Sequence, residues 1–376
     1  MKLSSFKAGQ KIQRFSYQSF EPNKVDISWE IDDPEITFLL SRADIKLGEL
    51  NAYSQLIPDI DFFIKMHVLK EGTQSSSIEG TQTNIDEAVQ KIEFIQPEKK
   101  DDWQEVQNYV QAMNQAIKDL EKLPVSNRLM KQTHKILMQG VRGTNKLPGE
   151  FRNSQNWIGG SSLADASFIP PHQDSVPELM GDLEKFLHNE INPVPPLIKI
   201  GIAHYQFETI HPFLDGNGRI GRLLITLFLV SNGLLHKPTL YLSDFFERNR
   251  MLYYDNLRRV SSHNDLKQWL KFFLVGIKET SENSIQTFRS IIALRSNVEH
   301  KIVMLGKKYD LAKLFLKFLY GEPKIDAQSV AKALNVNIST ALRLIGDFEK
   351  LGILKELTGY KRNRFFSFED YLNIFR

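Results

Sequence analysis

Two strongly apolar stretches, residues 198–207 and 220–230, lie in the middle of this chain of 376 residues. Their apolar side chains recur with helical periodicity, and few polar residues interrupt them. We therefore predict two core helices. The segment that joins them, residues 211–219, is by contrast rich in charged residues and glycine.

Helical spacing extends well beyond these two stretches. From Ile36 onward, apolar residues recur at steps of three and four, which predicts a mainly α-helical protein. The positions that carry this pattern are Phe38, Leu39, Ala43, Leu47, Leu50, Val106, Tyr109, Val110, Met113 and Ile117. An exception is the polar stretch 147–171, in which residues 156–160 and 167–171 predict a short β-hairpin or flap.

The C-terminal part of the chain differs in pattern and in charge. Two predicted helices, 327–334 and 339–351, flank a short polar turn, and the segments 354–357 and 364–368 then predict a β-hairpin. This order is typical of a winged helix-turn-helix. Residues 306–376 contain 13 Lys and Arg against 8 Asp and Glu, so the net charge of +3 derives from this part of the chain.

Composition excludes several kinds of site. The chain has no Cys, which rules out disulfides, thiolate zinc sites, iron–sulfur clusters and a Cys nucleophile. The longest apolar run, residues 223–235, is shorter than the roughly 20 residues that span a bilayer, and no apolar stretch follows the basic N-terminal residues. We expect a cytoplasmic protein without a membrane anchor.

The joining segment predicts a phosphate site. Gly216, Asn217 and Gly218 let consecutive backbone N–H groups turn toward one point at the start of a predicted helix, where the helix dipole also favours an anion. Arg219 and Arg222 are three residues apart, so both should project from the first turn on one face and bind phosphate oxygens. A polar loop with a helix cap is the simpler alternative.

Two further side chains in the segment suit chemistry on a phosphate. Asp215 can hold Mg²⁺, which binds through one or two carboxylates together with substrate phosphates. His211 has an ordinary pKa near neutrality, as a general base requires. A metal hydrolase using His204 and His211 is a rival, but no further metal-ligand cluster accompanies them, and His204 is expected in the core. The other histidines, including His134, are predicted to be ordinary.

Residues 211–222 match the full signature of the Fic family, His-x-Phe-x-(Asp/Glu)-Gly-Asn-Gly-Arg-x-x-Arg. The resemblance extends to residues 149–152 with 170–171, which resemble the family's flap region, and to residues 203–208. It covers roughly residues 35–280 and implies a mainly α fold: a Fic-type helical bundle with a small β-hairpin flap, followed by a C-terminal winged helix-turn-helix.

The family resemblance implies AMP transfer from ATP to a Tyr, Thr or Ser hydroxyl of a protein. His211 would accept the hydroxyl proton, Asp215 would hold Mg²⁺, and the flap would bind the target backbone by strand addition. The nucleotide-binding residues implied or proposed are Gly216, Asn217, Gly218, Arg219, Ile220, Gly221, Arg222 and, for adenine, Asn249, Tyr253 and Tyr254. Two adjacent Tyr on a helix are also explained by core and rim positions. Transfer of another nucleotide or of phosphocholine is an open alternative.

Ser75, Glu79 and Gly80 resemble the family's inhibitory motif, Ser-x-x-x-Glu-Gly, in the class that carries it on an N-terminal helix. Glu79 would pair with Arg222 and take the place of the ATP γ-phosphate, leaving a weakly active resting enzyme. Without the resemblance, the same residues read as a helix end capped by Gly80. In some Fic proteins this Glu supports AMP removal, so reversal is an open alternative.

We predict four parts: an N-terminal helical region with the inhibitory motif (1–100), the Fic core (101–280), a connecting helix (281–305) and the winged helix-turn-helix (306–376). The main alternative function is a nucleotide-sensing transcriptional regulator, with Lys361, Arg362 and Arg364 of the wing on DNA phosphates. The recognition helix offers Arg343 but also Asp347. The expected partners are ATP and a target protein, which includes the chain itself; docking of DNA or protein through 306–376 and a homodimer are open alternatives.

Overall fold

The computed structural model describes residues 1–57, 60–140, 145–191, 193–359 and 364–376. Helices predominate within these ranges, as the apolar spacing predicted. They are α1 (Pro34–Leu56), α2 (Ile60–Ile78), α3 (Ile85–Ala88), α4 (Lys100–Asp119), α5 (Asn127–Leu137), α6 (Val176–His188), α7 (Pro196–Ile210), α8 (Asn217–Ser231), α9 (Ser243–Arg248), α10 (Arg250–His263), α11 (Leu266–Val303), α12 (Tyr309–Gly321), α13 (Ala327–Leu334), α14 (Ile338–Lys350) and α15 (Glu369–Leu372). The strands are β1 (Gly9–Gln13), β2 (Gln18–Pro22), β3 (Lys324–Asp326), β4 (Lys355–Glu356) and β5 (Phe365–Ser367).

Helices α7 and α8 form the centre of the molecule. Both are buried along almost their whole length, which explains why their sequences are apolar on every face. Helix α7 packs between α6, α8 and α11, and α8 also contacts α2, α4 and α5. The polar segment 211–216 joins the C-terminus of α7 to the N-terminus of α8, so its side chains lie where α2, α4 and α5 meet the central pair.

Helix α11 is continuous for 38 residues. It packs along α1 in its first part and reaches α12 and α15 at its end. The predicted boundary at residue 280 therefore falls inside one helix, with Thr280 and Ser281 both buried. The connecting helix is the second half of a core helix rather than a separate linker.

The predicted flap contains a single antiparallel bridge, between Ile158 and Phe168. Its second segment also pairs with the N-terminal hairpin, because the Phe20 amide of β2 donates to the Ile169 carbonyl at 2.8 Å. The antiparallel hairpin of β1 and β2 thus contacts the second segment of the flap through β2. The sequence pattern gave no signal for this hairpin.

The C-terminal module, residues 306–376, contains the predicted helix pair and the two predicted strand segments, together with β3 and α15, which the sequence pattern did not predict. Helix α13 has the predicted bounds, α14 begins one residue earlier than predicted, and the antiparallel sheet has the order β3-β5-β4. Lys361 and Arg362 of the predicted wing lie outside the described residues. Arg364 is engaged within the module by Glu349 at 3.4 Å and by Glu356, and Asp347 of α14 binds Lys308 at 2.5 Å.

Two observations concern surfaces. Phe38 follows the helical apolar spacing of α1 but is 61% exposed, since the buried face of that helix is formed by Ile36, Ala43, Leu47 and Leu50. Within the described ranges, no helix combines the length and the apolar character needed to cross a bilayer.

Candidate active site

His211 ends α7 in a left-handed backbone conformation, with φ 50° and ψ 60°. Its amide still donates to the Phe207 carbonyl at 2.9 Å, so the residue caps the helix while turning the chain. The ring Nδ1 lies 3.3 Å from the Glu208 carbonyl. Because a carbonyl only accepts, Nδ1 carries the proton in this contact and Nε2 keeps its lone pair.

Burial lowers the pKa of His211 to about 4, and the nearby Arg152 guanidinium acts in the same direction. The sequence-based expectation of a pKa near neutrality differs from this value because it took no account of burial. At pH 7 the imidazole is therefore neutral, the form that accepts a proton.

Arg152 fixes the backbone around His211 from the flap side. Its guanidinium is buried and donates to the carbonyls of His211 at 2.9 Å, Ser154 at 3.2 Å and Ile210 at 3.4 Å, as well as to Pro171. Its own amide donates to the Pro212 carbonyl at 2.8 Å. One side chain thus satisfies the Ile210 and His211 carbonyls, which the end of α7 leaves without helical partners, and also binds two carbonyls outside that helix.

Three amide and imidazole side chains complete this support. Asn156 donates to the Phe213 carbonyl at 2.9 Å. Asn217, at the start of α8, accepts from the Phe213 amide and donates to its carbonyl, both at 2.8 Å. His134 on α5 stacks on the Phe213 ring at 3.8 Å and contacts the Asp215 carbonyl at 3.0 Å. The joining segment is therefore fixed from three sides.

The predicted anion site lies at the N-terminus of α8. Gly216 caps the helix at φ 75°. A Cβ on Gly218 would lie 2.3 Å from Glu79 Oε1, so the Glu79 carboxylate rests directly on this backbone. Only glycine permits this approach. A carboxylate already occupies the position where the helix dipole and free N–H groups favour a phosphate.

Glu79 also pairs with Arg222, Oε1 to Nη2, at 2.7 Å. Arg222 is buried and donates to Ser75 as well, through Nε to the hydroxyl at 2.9 Å and through Nη2 to the carbonyl at 2.7 Å. Gly80 ends α2 at φ 102°, and the Gly80 and Thr81 amides bond back to Ser77 and Ser76 in a Schellman arrangement. Ser75, Glu79, Gly80 and Arg222 are thus brought together from distant parts of the sequence.

The electrostatics of this contact favour an ion pair. Burial opposes ionisation of Glu79, but Arg222 beside it brings the net pKa of the carboxyl below its usual value. Two other carboxyls nearby are raised by burial: the pKa of Glu208 to about 8 and that of Glu71 to about 7. Arg222 therefore faces an ionised carboxylate, that of Glu79, whereas Glu208 is protonated at pH 7.

Arg219 and Arg222 do not share partners, although both lie within the first two turns of α8. Arg219 is bound by Glu105 of α4 at 3.2 Å and lies 3.6 Å from Asp215. Its guanidinium thus faces α4, whereas that of Arg222 faces α2. The spacing of three residues places both at the same helix end, but the two neighbouring helices separate their directions.

Asp215 lies on the joining segment with its side chain 45% exposed. Its Oδ1 accepts from the Gly216 amide at 2.6 Å. Among the described residues no group of three or more His, Asp or Glu side chains could hold a metal ion. A single exposed carboxylate fits Mg²⁺ that takes its other ligands from phosphates and water, and does not fit a metal held mainly by protein.

The residues proposed for adenine fall into two environments. Tyr253 is buried, stacks on Phe246 at 4.3 Å and bonds through its hydroxyl to His204 at 2.9 Å, which places it in the core. Tyr254 is 41% exposed, and Asn249 is partly buried with its amide donating to the Phe245 carbonyl. Of the tyrosine pair, Tyr254 alone presents a substantial surface.

Three other residues considered in the sequence lie where α7 packs against α8: Ile220, Gly221 and His204. Ile220 is buried in the core. Gly221 accommodates Glu208, whose Oε1 would lie 2.2 Å from a Cβ there. His204 is fully buried and bonds to the Gly221 carbonyl at 2.9 Å, as its predicted core position requires.

Several supporting residues were missed from the sequence. His134 was expected to be ordinary, yet it supports the joining segment, and neither Glu105 nor Asn156 was singled out for a role. These residues lie on α4, α5 and the flap, far from residue 211 in the chain. Arg152, a further supporting residue, is different, because the resemblance of residues 149–152 to a flap region included it.

Comparisons with known proteins agree with this geometry. Residues 37–118 match the family model described as Fic/DOC family N-terminal, and residues 124–229 match Fic/DOC family. Together they cover half of the chain. A probable protein adenylyltransferase of Aquifex aeolicus is 30% identical over 217 residues, 56% of this chain and 59% of that protein. The protein adenylyltransferase Fic of Drosophila ananassae is 29% identical over 158 residues, 42% of this chain and 28% of that protein.

Solved structures show the same fold. A Fic family protein from Desulfovibrio desulfuricans has a TM-score of 0.56 at 20% identity, covering 90% of this chain and 97% of that chain. A Fic domain containing signaling protein from Bacteroides thetaiotaomicron has a TM-score of 0.54 at 17% identity, covering 68% of this chain and 97% of that chain.

Proposed function

The chain belongs to the Fic/DOC family, and we propose that it is a protein adenylyltransferase, which transfers AMP from ATP to a hydroxyl group of a protein. The observation that carries this proposal is the Glu79 carboxylate bound at the N-terminus of α8. An anion rests on Gly218 and pairs with Arg222 at 2.7 Å, so the site is already organised for negative charge.

His211 is the catalytic base in this proposal. The hydroxyl oxygen of the target attacks the α-phosphorus of ATP, the bond from that phosphorus to the bridging oxygen breaks, and pyrophosphate leaves. The hydroxyl proton moves to His211 Nε2, which is unprotonated because the ring proton is on Nδ1, where it is donated to the Glu208 backbone carbonyl. Phosphoryl-type transfer depends chiefly on positioning and charge stabilisation, and the fixed segment around His211 supports the first of these.

The arginines and Asp215 serve the phosphates. Arg222 would bind ATP phosphate oxygens once Glu79 withdraws, and Arg219 would neutralise charge on the leaving pyrophosphate. Asp215 would hold Mg²⁺, which supplies further charge neutralisation across the phosphates. Tyr254 and Asn249 are the adenine residues of the proposal; Tyr253 supports Tyr254 from the core.

Glu79 inhibits the resting enzyme in the same proposal. It competes with ATP phosphate for Arg222 and for the backbone at Gly218. Because a phosphate offers Arg222 an equivalent partner, displacement of Glu79 does not leave a buried charge unpaired. The chain spans 28% and 59% of the lengths of the two curated relatives described above, so their activity is carried to this chain as a proposal.

ATP labelled at the α-phosphate tests the activity. Glu79→Gly is incubated with the labelled ATP, Mg²⁺ and a lysate, and label is sought on any protein, including the enzyme, by gel and intact mass. The expected result is a protein carrying one AMP, absent with Glu79→Gly/His211→Ala. Label at the γ-phosphate is the control: kinases of the lysate transfer it, but none of that transfer should depend on His211. Absence of α-label with Glu79→Gly contradicts the proposal.

A further inference from the structure

We propose that the C-terminal module regulates the site by holding the inhibitory end of α2 in place. This inference rests on the proposed function. It assigns a role to contacts that the sequence analysis did not predict. The module touches the chain on both sides of Glu79, with one contact before it and one after it. The first is apolar and buried, whereas the second is mainly polar and accessible.

The contact before Glu79 involves the first half of α2. Phe63 packs against Tyr320 of α12 at 4.9 Å and Tyr371 of α15 at 6.4 Å, and His67 packs against Phe375 at 5.2 Å. All these side chains are at least nine-tenths buried. The module and α2 therefore share a hydrophobic core, so the body of the inhibitory helix is fixed to the module.

The contact after Glu79 centres on Asp86 in α3. Arg376 binds both oxygens of its carboxylate, with Nη2 at 2.6 Å and Nε at 2.8 Å. Lys324 of β3 lies 3.0 Å from the same carboxylate and donates to the Asp86 carbonyl at 2.8 Å. The bidentate arginine pair lowers the pKa of Asp86.

Two further contacts continue this interface along the segment that follows α3. Lys91 binds Asp326 at 2.8 Å, and the Phe94 ring meets Phe365 of β5 edge-on at 4.4 Å. We call these paired residues the latch: Asp86, Lys91 and Phe94 on one side, and Lys324, Asp326, Phe365 and Arg376 on the other. The latch ion pairs are partly exposed, so they can open at small cost.

The segment between Glu79 and the latch is short and is held by burial and hydrogen bonds. Thr81 and Thr83 are buried, and the Gln82 amide donates to Asp102 at 2.9 Å. Asn84 and Glu87 form a capping box on α3. Because these links leave little slack, opening the latch frees the end of α2 and lowers the population in which Glu79 rests on Gly218. A partner that binds the module and opens the latch then raises the rate of AMP transfer.

The test compares latch variants with a matched ion-pair variant. Asp86→Asn/Arg376→Gln and Phe94→Ala open the latch, whereas Lys308→Ala breaks a pair of similar length inside the module, that with Asp347. We expect AMP incorporation to rise about fivefold or more with the latch variants and to stay unchanged with Lys308→Ala. In the Glu79→Gly background the latch variants should add nothing, since the inhibitory contact is already gone.

Melting temperatures and hydrogen exchange of residues 75–88 accompany the rates. Unchanged rates in folded latch variants, or an equal rise in the Glu79→Gly background, overturn the latch. If Glu79→Gly itself transfers no AMP, the proposed function fails instead. Exchange then decides on the latch alone: faster exchange at 75–80 in the latch variants supports it, and exchange equal to that of Lys308→Ala overturns it.

Discussion

The segment around His211 and the end of α2 meet at one site but are held in different ways. The first is held by buried hydrogen bonds to its backbone from Arg152, Asn156 and Asn217. The second is held at the site by side chains, chiefly the pair of Glu79 with Arg222, and the Glu79 side chain is 35% exposed. The segment around His211 is therefore rigidly supported, whereas the contact of Glu79 is one that a ligand can displace.

Substitution of His211, in the rigidly supported segment, should lower the rate of AMP incorporation more than any other change considered below. In the Glu79→Gly background, His211→Ala removes the base and should lower AMP incorporation by at least about a hundredfold. His211→Gln is the matched variant, because it keeps a polar side chain without a usable base. The measurement is the initial rate of label transfer from ATP. A rate within about tenfold of the parent would sink the assignment of His211 as base.

Arg152→Ala tests whether the support of the segment matters. Several carbonyls, including those of His211, Ser154 and Ile210, lose their donor in this variant. The free energy of unfolding should therefore fall by about 3 kcal/mol. AMP incorporation should fall by about tenfold or more, because the His211 backbone is no longer fixed. Denaturant unfolding and initial rates provide the measurements.

Lys131→Ala is the control for Arg152→Ala, since Lys131 lies beside Phe151 and pairs with Glu150 at the surface. It should change the free energy of unfolding by less than about 1 kcal/mol. Equal destabilisation by the two variants would mean that the buried hydrogen bonds of Arg152 contribute little.

Asp215→Asn probes the exposed member of the fixed segment. The amide keeps the size of the side chain but loses the charge that attracts Mg²⁺, so half-maximal activity should require about tenfold more Mg²⁺. Titration of Mg²⁺ at constant ATP in the Glu79→Gly background gives the value. An unchanged Mg²⁺ requirement contradicts the role of Asp215.

The smallest expected effect concerns pH. Burial lowers the pKa of His211 to about 4, so its neutral fraction hardly changes between pH 6 and 7. An imidazole with the ordinary pKa near 6.5 would lose about threefold of its neutral form over that interval as the pH falls. The rate of Glu79→Gly should therefore stay constant within about 1.5-fold from pH 7 to pH 6. A threefold decline would indicate an ordinary pKa.

Stability should depend on the same shift. The folded-state pKa of His211 lies below its unfolded value, so the unfolded chain binds the proton more readily. This contribution to the free energy of unfolding is complete above about pH 6.5 and is lost as the pH falls toward 4.

The sequence predicted those features that depend on nearby residues. The apolar spacing of α7 and α8 and the glycine turn before α8 lie within one stretch of the chain. The phosphate-binding roles of residues 216–222 in that stretch stay a prediction. The bounds of α13 followed from its short periodic segment in the same way. Local patterns sufficed because these elements form from contacts between close neighbours.

The features that the sequence missed depend on distant contacts. The pKa of His211 follows from burial by surrounding helices, and the support from His134 and Arg152 comes from residues about 60 to 80 positions away. The latch joins Asp86 to Arg376 across 290 positions. No spacing rule reports such pairs. The inhibitory pair is the exception, because the resemblance of the Ser75 motif connected it with Arg222.

The decisive test of displaceable inhibition is the rate of AMP incorporation by Glu79→Gly divided by that of the unchanged chain, both at saturating ATP and Mg²⁺. Glu79→Gln serves beside it, because it keeps the side-chain size and loses the charge that binds Arg222. Displaceable inhibition predicts a rise of about tenfold or more with Glu79→Gly and a smaller rise with Glu79→Gln. Rates equal to that of the unchanged chain, with label still transferred, would show that the carboxylate on Gly218 does not restrain the enzyme.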